Sequence, residues 1–238
     1  MRKSRLDGIC VNVNGVHRDS SGKTLEDYPR PSVAVDTAVL TAGPGRPLGV
    51  VLVRRQDEAD AWALPGTFLH PRERLADAVL RSLEQKVGLR STSPRQLHVF
   101  DDPKRDDRGW VLSVAHVVVL PCHAVGPVVE ARSDDVRVSA IGELPELTFD
   151  HEAIVRMAVE EVRARYRWRP DPEALLDEPF TMRELRHLHA AVADVPRLQP
   201  DTFRRQMEPQ LLDTGRIKEG TVGRPASLYR RKPARPDR

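Results

Sequence analysis

The sequence predicts a mixed α/β domain followed by a small module of two helices and a β-hairpin. Segments rich in β-branched residues alternate with two long amphipathic patterns, which favours a sheet covered by helices. Hydrophobic residues make up 39% of the 238 residues, enough for a packed core. Beyond residue 180 the strand pattern gives way to two short helical patterns and glycine-containing turns.

Residues 1–31 are polar and show no clear periodicity, so they are predicted to form an N-terminal extension. Residues 32–149 contain extended segments bounded by turn signals and form the predicted α/β domain. In chain order these segments are "SVAVDTAVLT", "LGVVLVRR", "WALPGTFL", "RQLHVF", "GWVLSVAHVVVLP" and "DDVRVSAIGEL". The first two predict a hairpin around "AGPGRP".

Two long helices are predicted next to these strands. The first runs from about Glu73 to Val87, where an apolar residue recurs every four positions, and Gly88 supplies its stop. The second covers Asp150–Trp168, with Asp150 as a plausible N-cap. It lies in a linker that spans residues 150–179.

The C-terminal module, residues 180–238, has the element order of a winged-helix DNA-binding unit. "TMRELRHLHAAVADV" predicts a helix with Thr181 and Glu184 in a capping box, and a second helix begins near Asp201. "DTGRIKEGTVGRPASLYRRK" predicts the hairpin. Residues 180–238 hold 13 Lys+Arg against 7 Asp+Glu, a net charge of +6, whereas the rest carries −3. This asymmetry indicates a polyanionic partner for the module, with a merely solvated basic tail as the alternative, and the winged-helix order makes double-stranded DNA the expected polyanion.

Composition argues against several other classes of protein. No apolar run approaches the roughly 20 residues that cross a bilayer, and the N-terminus has no signal-peptide pattern, so a cytoplasmic location is expected. Two cysteines, Cys10 and Cys122, cannot form a zinc site alone, and the histidines follow no metal-binding pattern. We therefore expect neither a metal nor a cofactor.

One stretch, "GTFLHPRERLADAVLRSLEQKVGL", has the frame of a Nudix box, the loop–helix motif of enzymes that process nucleoside diphosphates. Thr67 stands at the first glycine, and Glu73, Arg81, Leu83 and Gly88 fill their positions. The three acids that follow the arginine are replaced by Ser82, Gln85 and Lys86, whose spacing predicts a shared helix face. Carboxylates on that face hold Mg²⁺ in a working site. The replacements predict a site that binds a diphosphate by hydrogen bonds, without metal and without catalysis.

Three blocks of sequence resemble the Nudix-related transcriptional regulators of NAD metabolism, the NrtR family. They are "LVRR" followed by "WALPGTFLHPRERL", "DDPKRDDRGWVLSVAHVVVLP", and the ending "GRPASLYR". The resemblance covers roughly residues 32–232, and the departures are Thr67, Arg72 and the missing acids. It implies a homodimeric repressor of NAD-metabolism genes. Such a repressor senses ADP-ribose or a related nucleotide in the Nudix-like domain and then leaves its DNA operator.

Candidate site residues follow from this organisation. Phe68 is a candidate to stack on adenine, and the cations are candidates for the diphosphate, although Arg81 is equally a partner for Glu73. The ligand-binding candidates are Arg54, Arg55, Phe68, Arg81 and Lys86. The DNA-binding candidates, in the second helix and the wing, are Thr202, Arg204, Arg205, Gln206, Lys218, Arg224, Arg230 and Arg231.

Three alternatives remain open from the sequence. An active Nudix hydrolase with an appended winged helix would need acids from elsewhere, such as Asp101, Asp102, Asp106 or Asp107. The second alternative is a regulator that senses a different ligand, such as another sugar nucleotide or a phosphorylated sugar. The third alternative is a DNA-binding scaffold with no small ligand.

Overall fold

A computed structural model describes most of the chain, which separates into two units, Met1–Ser32 and Val33–Arg238. The described residues are 10–11, 17–56, 61–90, 92–193, 198–219 and 225–233. Within the first unit, β1 (Cys10–Val11) pairs antiparallel with β2 (His17–Arg18), and a short 3-10 turn covers Leu25–Asp27. The described part of the predicted extension therefore contains local structure that its polar composition did not indicate.

The second unit is built on a seven-stranded sheet. Its strands are β3 (Ser32–Gly43), β4 (Arg46–Arg54), β5 (Trp62–Ala63), β6 (Gly66–Phe68), β7 (Arg95–Phe100), β8 (Val111–Pro121) and β9 (Val136–Ala140). The main path runs β5–β4–β3–β8–β7, with β6 paired to β3 and β9 paired to β4. Each extended segment predicted in residues 32–149 contributes at least one of these strands, and the predicted hairpin is β3–β4.

Helices cover both faces of the sheet. On one face lie α1 (Leu75–Ser82), its π-helical continuation Leu83–Val87, and α2 (Cys122–Glu130). The other face is covered by α3 (His151–Tyr166). Alternate residues of β3 enter the two apolar clusters, so that Val39 packs towards α1 and Leu40 towards α3. Burial on both faces explains why β3 carries apolar residues at successive positions and does not alternate with polar ones.

Three details differ from the sequence prediction. Helix α2 was not predicted, because Gly126 and Pro127 within it both have low helix propensity. The first predicted helix changes to a π-helix at Leu83, where the Gly88 N–H donates to the Leu83 carbonyl at 2.9 Å. Asp150 does occupy the N-cap position of α3, yet its side chain makes no capping hydrogen bond.

The C-terminal module is a winged helix. Its elements are β10 (Phe180–Thr181), α4 (Met182–Ala193), α5 (Pro200–Met207), β11 (Leu211–Lys218) and β12 (Ala226–Arg231). The strands form a three-stranded sheet in the order β10–β12–β11. The predicted capping box is confirmed, since the Thr181 N–H donates to Glu184 at 2.8 Å and the Glu184 N–H donates to Thr181 Oγ1 at 3.2 Å.

One hydrophobic cluster runs through the sheet, α3 and the winged helix. It contains Leu40 and Leu52 of the sheet, Ile154 of α3, and Phe203 and Met207 of α5. Phe203 and Met207 are almost fully buried, at 2% and 1% exposure. Residues 33–238 therefore pack as a single unit. Among the described helices, none is both long and apolar enough to span a membrane.

Candidate functional site

The loop before α1 is held by Arg81. Its guanidinium forms an ion pair with Glu73 at 2.8 Å, donates to Thr67 Oγ1 at 3.2 Å, and donates to the Phe68 carbonyl at 3.0 Å. Hydrogen bonds from Arg81 and from the His70 backbone hold the pKa of Glu73 at about 2. The loop is therefore clamped at three points, and the predicted pair between Arg81 and Glu73 is present.

Glycine at position 66 brings the loop against the sheet. It pairs with Asp36 of β3, and a Cβ atom at this position would lie 2.0 Å from Asp36 Oδ1 and 2.9 Å from the Val35 carbonyl oxygen. No side chain fits in that space, because both neighbours belong to the buried strand. Gly66 thus lets the loop approach a buried carboxylate.

The three residues that replace the Nudix acids do not share one environment. Ser82 is 2% exposed, and its hydroxyl has no hydrogen-bond partner in the described structure. Gln85 and Lys86 are exposed, and their carbonyl oxygens accept hydrogen bonds from Arg132. The wider π-turn separates them from Ser82, so the predicted common face is only partly formed.

These residues do not fit a magnesium site. A serine hydroxyl, an amide and an ammonium group offer no carboxylate, whereas Mg²⁺ prefers hard oxygen ligands. Across the described ranges, no group of three or more His, Cys, Asp or Glu side chains is arranged to hold a metal ion. Of the alternative acids, Asp106 is buried and paired with Arg108 at 2.8 Å.

Two aromatic rings and two guanidinium groups lie together beside this loop. The Arg108 guanidinium carbon is 5.5 Å from the Phe68 ring centroid and 5.1 Å from that of Phe149, and Arg55 lies 4.9 Å from Phe149. We call Arg55, Phe68, Arg108 and Phe149 the aromatic–guanidinium cluster. Arg108 Nε and Nη2 donate to the Asp106 carboxylate at 2.9 and 2.8 Å, and these hydrogen bonds lower the pKa of Asp106.

A buried ionic network lies next to the cluster. Arg105 donates to both carboxylate oxygens of Asp150, at 2.8 and 2.5 Å, and lies 3.4 Å from Asp36. Ser113 Oγ donates to Asp36 at 2.6 Å, and His151 Nε2 lies 3.4 Å from the same carboxylate. Burial alone would raise the pKa of Asp36, but His151, Ser113 and Arg105 outweigh burial and hold it at about 2.

The remaining ligand candidates lie apart from the cluster. Arg54 stacks on Trp62, with 5.8 Å between the guanidinium carbon and the ring centroid, and Arg137 stacks on the same ring at 4.0 Å. Trp62 is 9% exposed and belongs to the hydrophobic core. Lys86 projects from the π-helical segment at the far end of α1.

Some candidate DNA-binding residues of the winged helix are exposed, whereas others form hydrogen bonds within the protein. Thr202 and Arg205 on α5 and Arg230 on β12 are exposed. Arg204 is paired with Glu208 at 3.0 Å and donates to the Tyr229 hydroxyl at 3.1 Å, and these contacts raise its pKa. Gln206 donates to the Arg167 carbonyl of the linker at 2.8 Å. The exposed face of α5 therefore offers Thr202 and Arg205 to a partner.

Two wing candidates are engaged by neighbouring acids. Lys218 Nζ lies 2.6 Å from Glu184, which is the capping residue of α4. Arg231 is paired with Asp171 at 2.6 Å and with Glu178 at 3.0 Å. Arg231 thus holds the linker against the wing in this structure. Arg224 lies outside the described residues.

Comparisons with known proteins agree with this two-part architecture. A NUDIX domain model matches residues 30–178, and a model of the NrtR DNA-binding winged helix domain matches residues 172–231. The crystal structure of Shewanella oneidensis NrtR complexed with a 27mer DNA is 32% identical, with a TM-score of 0.70, and the alignment covers 84% of this chain and 94% of that one. This chain belongs to the NrtR family.

Two curated relatives extend the comparison. The "ADPR responsive transcriptional repressor NtrR" of Acinetobacter baylyi is 28% identical over 86% of this chain and 83% of its own length. An ADP-ribose pyrophosphatase of Methanocaldococcus jannaschii is 29% identical over 54% of this chain and 73% of its own length. The first relative spans both domains of this NrtR-family chain, whereas the second matches only about half of the chain.

Sequence reasoning missed two residues of the aromatic–guanidinium cluster and one residue of the ionic network beside it. Phe149, Arg105 and Arg108 were not candidates, although the "DPKRDDRG" block that carries the two arginines was noticed. Phe149 has a positive φ of 57°, which no sequence pattern indicated. A signal for the arginines was available, since acids and arginines alternate in that block and suggest internal pairing.

Proposed function

We propose that this chain is a DNA-binding transcriptional repressor that responds to ADP-ribose and regulates genes of NAD metabolism. The observation that carries the proposal is the packing of the Nudix loop and the winged helix into one unit around α3. A repressor that reads operator DNA works in the cytoplasm. The division into residues 1–31, 32–149, 150–179 and 180–238 remains our working description of its domains.

ADP-ribose is the effector that the site suits best. The rings of Phe68 and Phe149 offer stacking faces for adenine, and Arg55 and Arg108 place positive charge beside them for a diphosphate. Arg81 shapes the loop that carries Phe68, and Arg54 and Lys86 remain further candidates for phosphate contacts. This assignment is supported by the responsiveness named for the Acinetobacter relative.

We further propose that the chain does not hydrolyse ADP-ribose. Ser82, Gln85 and Lys86 supply none of the carboxylates that the Nudix reaction uses to hold its metal. The test is AMP release from ADP-ribose at high protein concentration with Mg²⁺ or Mn²⁺. Turnover that a chelator abolishes would favour the alternative function, an active pyrophosphatase. The activity named for the Methanocaldococcus relative is the reason to test this alternative.

DNA binding is assigned to the exposed face of α5 and to the wing. Thr202 and Arg205 are the proposed major-groove residues, and Arg230 and Arg224 are proposed for the backbone or the minor groove. Arg204, Gln206, Lys218 and Arg231 would have to leave their present partners to reach DNA. A single winged helix has a small footprint, so we propose a homodimer on an imperfect palindrome, which light scattering of the free protein and its DNA complex would detect.

The decisive experiment titrates DNA with and without ADP-ribose at fixed salt. The DNA is a duplex that the protein itself selects from a random-sequence pool. Saturating ADP-ribose should weaken binding by about 5–150-fold, the range of ordinary allosteric coupling. Lys86→Glu should reduce this effect by repelling the diphosphate, whereas Lys23→Glu, the same charge change in the N-terminal unit, should not.

Three results would redirect the proposal. An unchanged titration curve would leave a DNA-binding scaffold, or a sensor of another ligand that a thermal-shift screen of nucleotides and sugar phosphates would identify. Tighter binding with ADP-ribose would keep the sensor and reverse the sign of regulation. An equal response of wild type and Lys86→Glu would remove Lys86 from the ligand site.

A further inference from the structure

Residues 149–151 join the candidate ligand site to the helix that carries the winged helix. Phe149 belongs to the aromatic–guanidinium cluster, Asp150 pairs with Arg105, and His151 is the first residue of α3. His151 Nδ1 accepts a hydrogen bond from the Leu64 N–H at 3.0 Å, next to the Nudix loop. Phe149 thus belongs to the cluster itself, whereas Asp150 and His151 contact groups that border it.

The network around Asp150 is buried and fully paired. The Arg105 side chain is 3% exposed, that of His151 is 4% exposed, and that of Asp36 is 10% exposed, whereas that of Asp150 is half-buried at 21%. A buried charge that loses its partner is strongly destabilised, so these groups hold one another in a fixed arrangement. A displacement of the loop at residues 105–108 therefore acts on Asp150 and on the start of α3.

The other end of α3 is fixed to the winged helix. Arg163 Nε donates to the Val192 carbonyl of α4 at 3.2 Å, and the Tyr166 ring packs 5.2 Å from His189, which packs 5.0 Å from Phe203 of α5. The Tyr166 hydroxyl donates to Asp171 at 2.8 Å, and Asp171 in turn accepts from Arg231 of the wing. Helix α3 has 16 residues and, at about 1.5 Å per residue, acts as a rigid connection between the two sites.

We propose that Asp150 is a positioning residue that couples ligand binding at the aromatic–guanidinium cluster to the orientation of the winged helix. A ligand that enters between Phe68 and Phe149 shifts Arg108 and its neighbour Arg105, and the Arg105–Asp150 pair passes that shift to α3. A ligand changes the affinity for DNA only if it binds two arrangements of the protein with different affinities. The geometry of the Arg105–Asp150 pair must therefore differ between the DNA-bound and ligand-bound states. This inference rests on the proposed function.

The test measures the coupling ratio, which is the Kd for the selected duplex with saturating ADP-ribose divided by the Kd without it. Wild type should give about 5–150. Asp150→Asn removes the charge while keeping the shape, and its ratio should fall towards 1. Its Kd for DNA alone and its Kd for ADP-ribose alone should each stay within a few-fold of wild type, which a merely destabilised protein would not achieve.

Glu152→Gln is the matched control. Glu152 is exposed on the first turn of α3, so it undergoes the same charge change on the same helix and should keep the wild-type ratio. If Asp150→Asn does not fold, Arg105→Lys replaces it, because lysine keeps the charge and loses the two-pronged contact with Asp150. The expected result for Arg105→Lys is also a reduced ratio with both separate affinities retained.

The outcomes separate the two proposals. A wild-type ratio of 1 contradicts the proposed function itself. A wild-type ratio above about 5 that Asp150→Asn or Arg105→Lys leaves unchanged overturns the assignment of Asp150 while leaving the repressor intact. A ratio lost equally in Glu152→Gln shows that charge on α3 matters in general and also overturns the specific role of Asp150.

Discussion

At the scale of single residues, the site depends on close contacts that leave no space for larger side chains. Gly66 is the clearest example, because its Cα lies against the Asp36 carboxylate and the Val35 carbonyl. The neighbouring Thr67, and not a glycine, stands at the first position of the Nudix frame. The requirement for glycine at position 66 is therefore steric, and Thr67 is accommodated with its hydroxyl accepting from Arg81.

Gly66→Ala should destabilise the protein and weaken ADP-ribose binding. The added methyl group would overlap the carboxylate and force the loop away from β3, at a cost of roughly 1–3 kcal/mol. Urea unfolding and a nucleotide titration would measure both effects. Gly126→Ala is the control, since a Cβ there meets nothing within 4 Å and alanine favours the helix. Equal stability of Gly66→Ala and wild type would contradict the close packing described here.

At the scale of secondary-structure elements, the sequence predicted those features that depend on residues close together in the chain. The strand "RQLHVF" is β7, Gly88 ends its helix in the left-handed conformation, and the Thr181–Glu184 capping box forms as its spacing requires. The partners of Asp150 were not predictable, because Arg105 is distant in sequence and meets it only through the fold. For the same reason the sequence placed Phe68 among the candidates and missed Phe149.

Helices α3, α4 and α5 meet at His189, which makes their packing sensitive to pH. Burial lowers the pKa of His189 from 6.5 to about 4, so the folded state keeps it neutral while the unfolded state protonates. The contribution to stability is therefore fully present above pH 6.5 and is lost as the pH falls towards 4. Between pH 7 and pH 4.5 this loss should be on the order of 2–3 kcal/mol.

Urea unfolding at these two pH values, on wild type and His189→Gln, would measure that contribution. The other histidines, including His116 with its lowered pKa, act equally in both proteins and cancel in the comparison. His189→Gln should lose less stability on acidification than wild type does. Identical losses would show that His189 is accessible to protons in the folded protein.

The two arginines of α5 should behave differently towards DNA. Both are exposed, but Arg204 donates hydrogen bonds to Glu208 and Tyr229. Arg205→Ala should make the plot of log Kd against log salt shallower by about one unit if it contacts a phosphate, or cost about 1–3 kcal/mol of specific binding if it reads a base. Arg204→Ala should act mainly on the stability of the winged helix. A larger loss of salt dependence with Arg204→Ala than with Arg205→Ala would reverse these assignments.

At the scale of the whole molecule, one apolar cluster connects the Nudix sheet with the winged helix, so residues 33–238 should unfold together. Tryptophan fluorescence, with Trp62 and Trp110 in the Nudix domain, should report the same urea midpoint as far-UV circular dichroism. ADP-ribose at 100 times its Kd should raise the unfolding free energy by about 2.7 kcal/mol by both probes. Two separated transitions would show that the domains are energetically independent.

The position of Asp171 has a consequence for exchanging parts between proteins of this family. This fully buried carboxylate accepts hydrogen bonds from the Tyr166 hydroxyl, from the N–H groups of Leu175 and Leu176, and from Arg231 at the end of the wing. In a chimera joined at residue 180, Arg231 and Asp171 would come from different proteins, and their ion pair would be lost. A junction before α3 would instead take α3, Asp171 and the wing from the same protein. Transplanting the DNA specificity of one such protein onto another sensor therefore requires moving α3 as well, and the sensor then has to accept a foreign helix at residues 149–151.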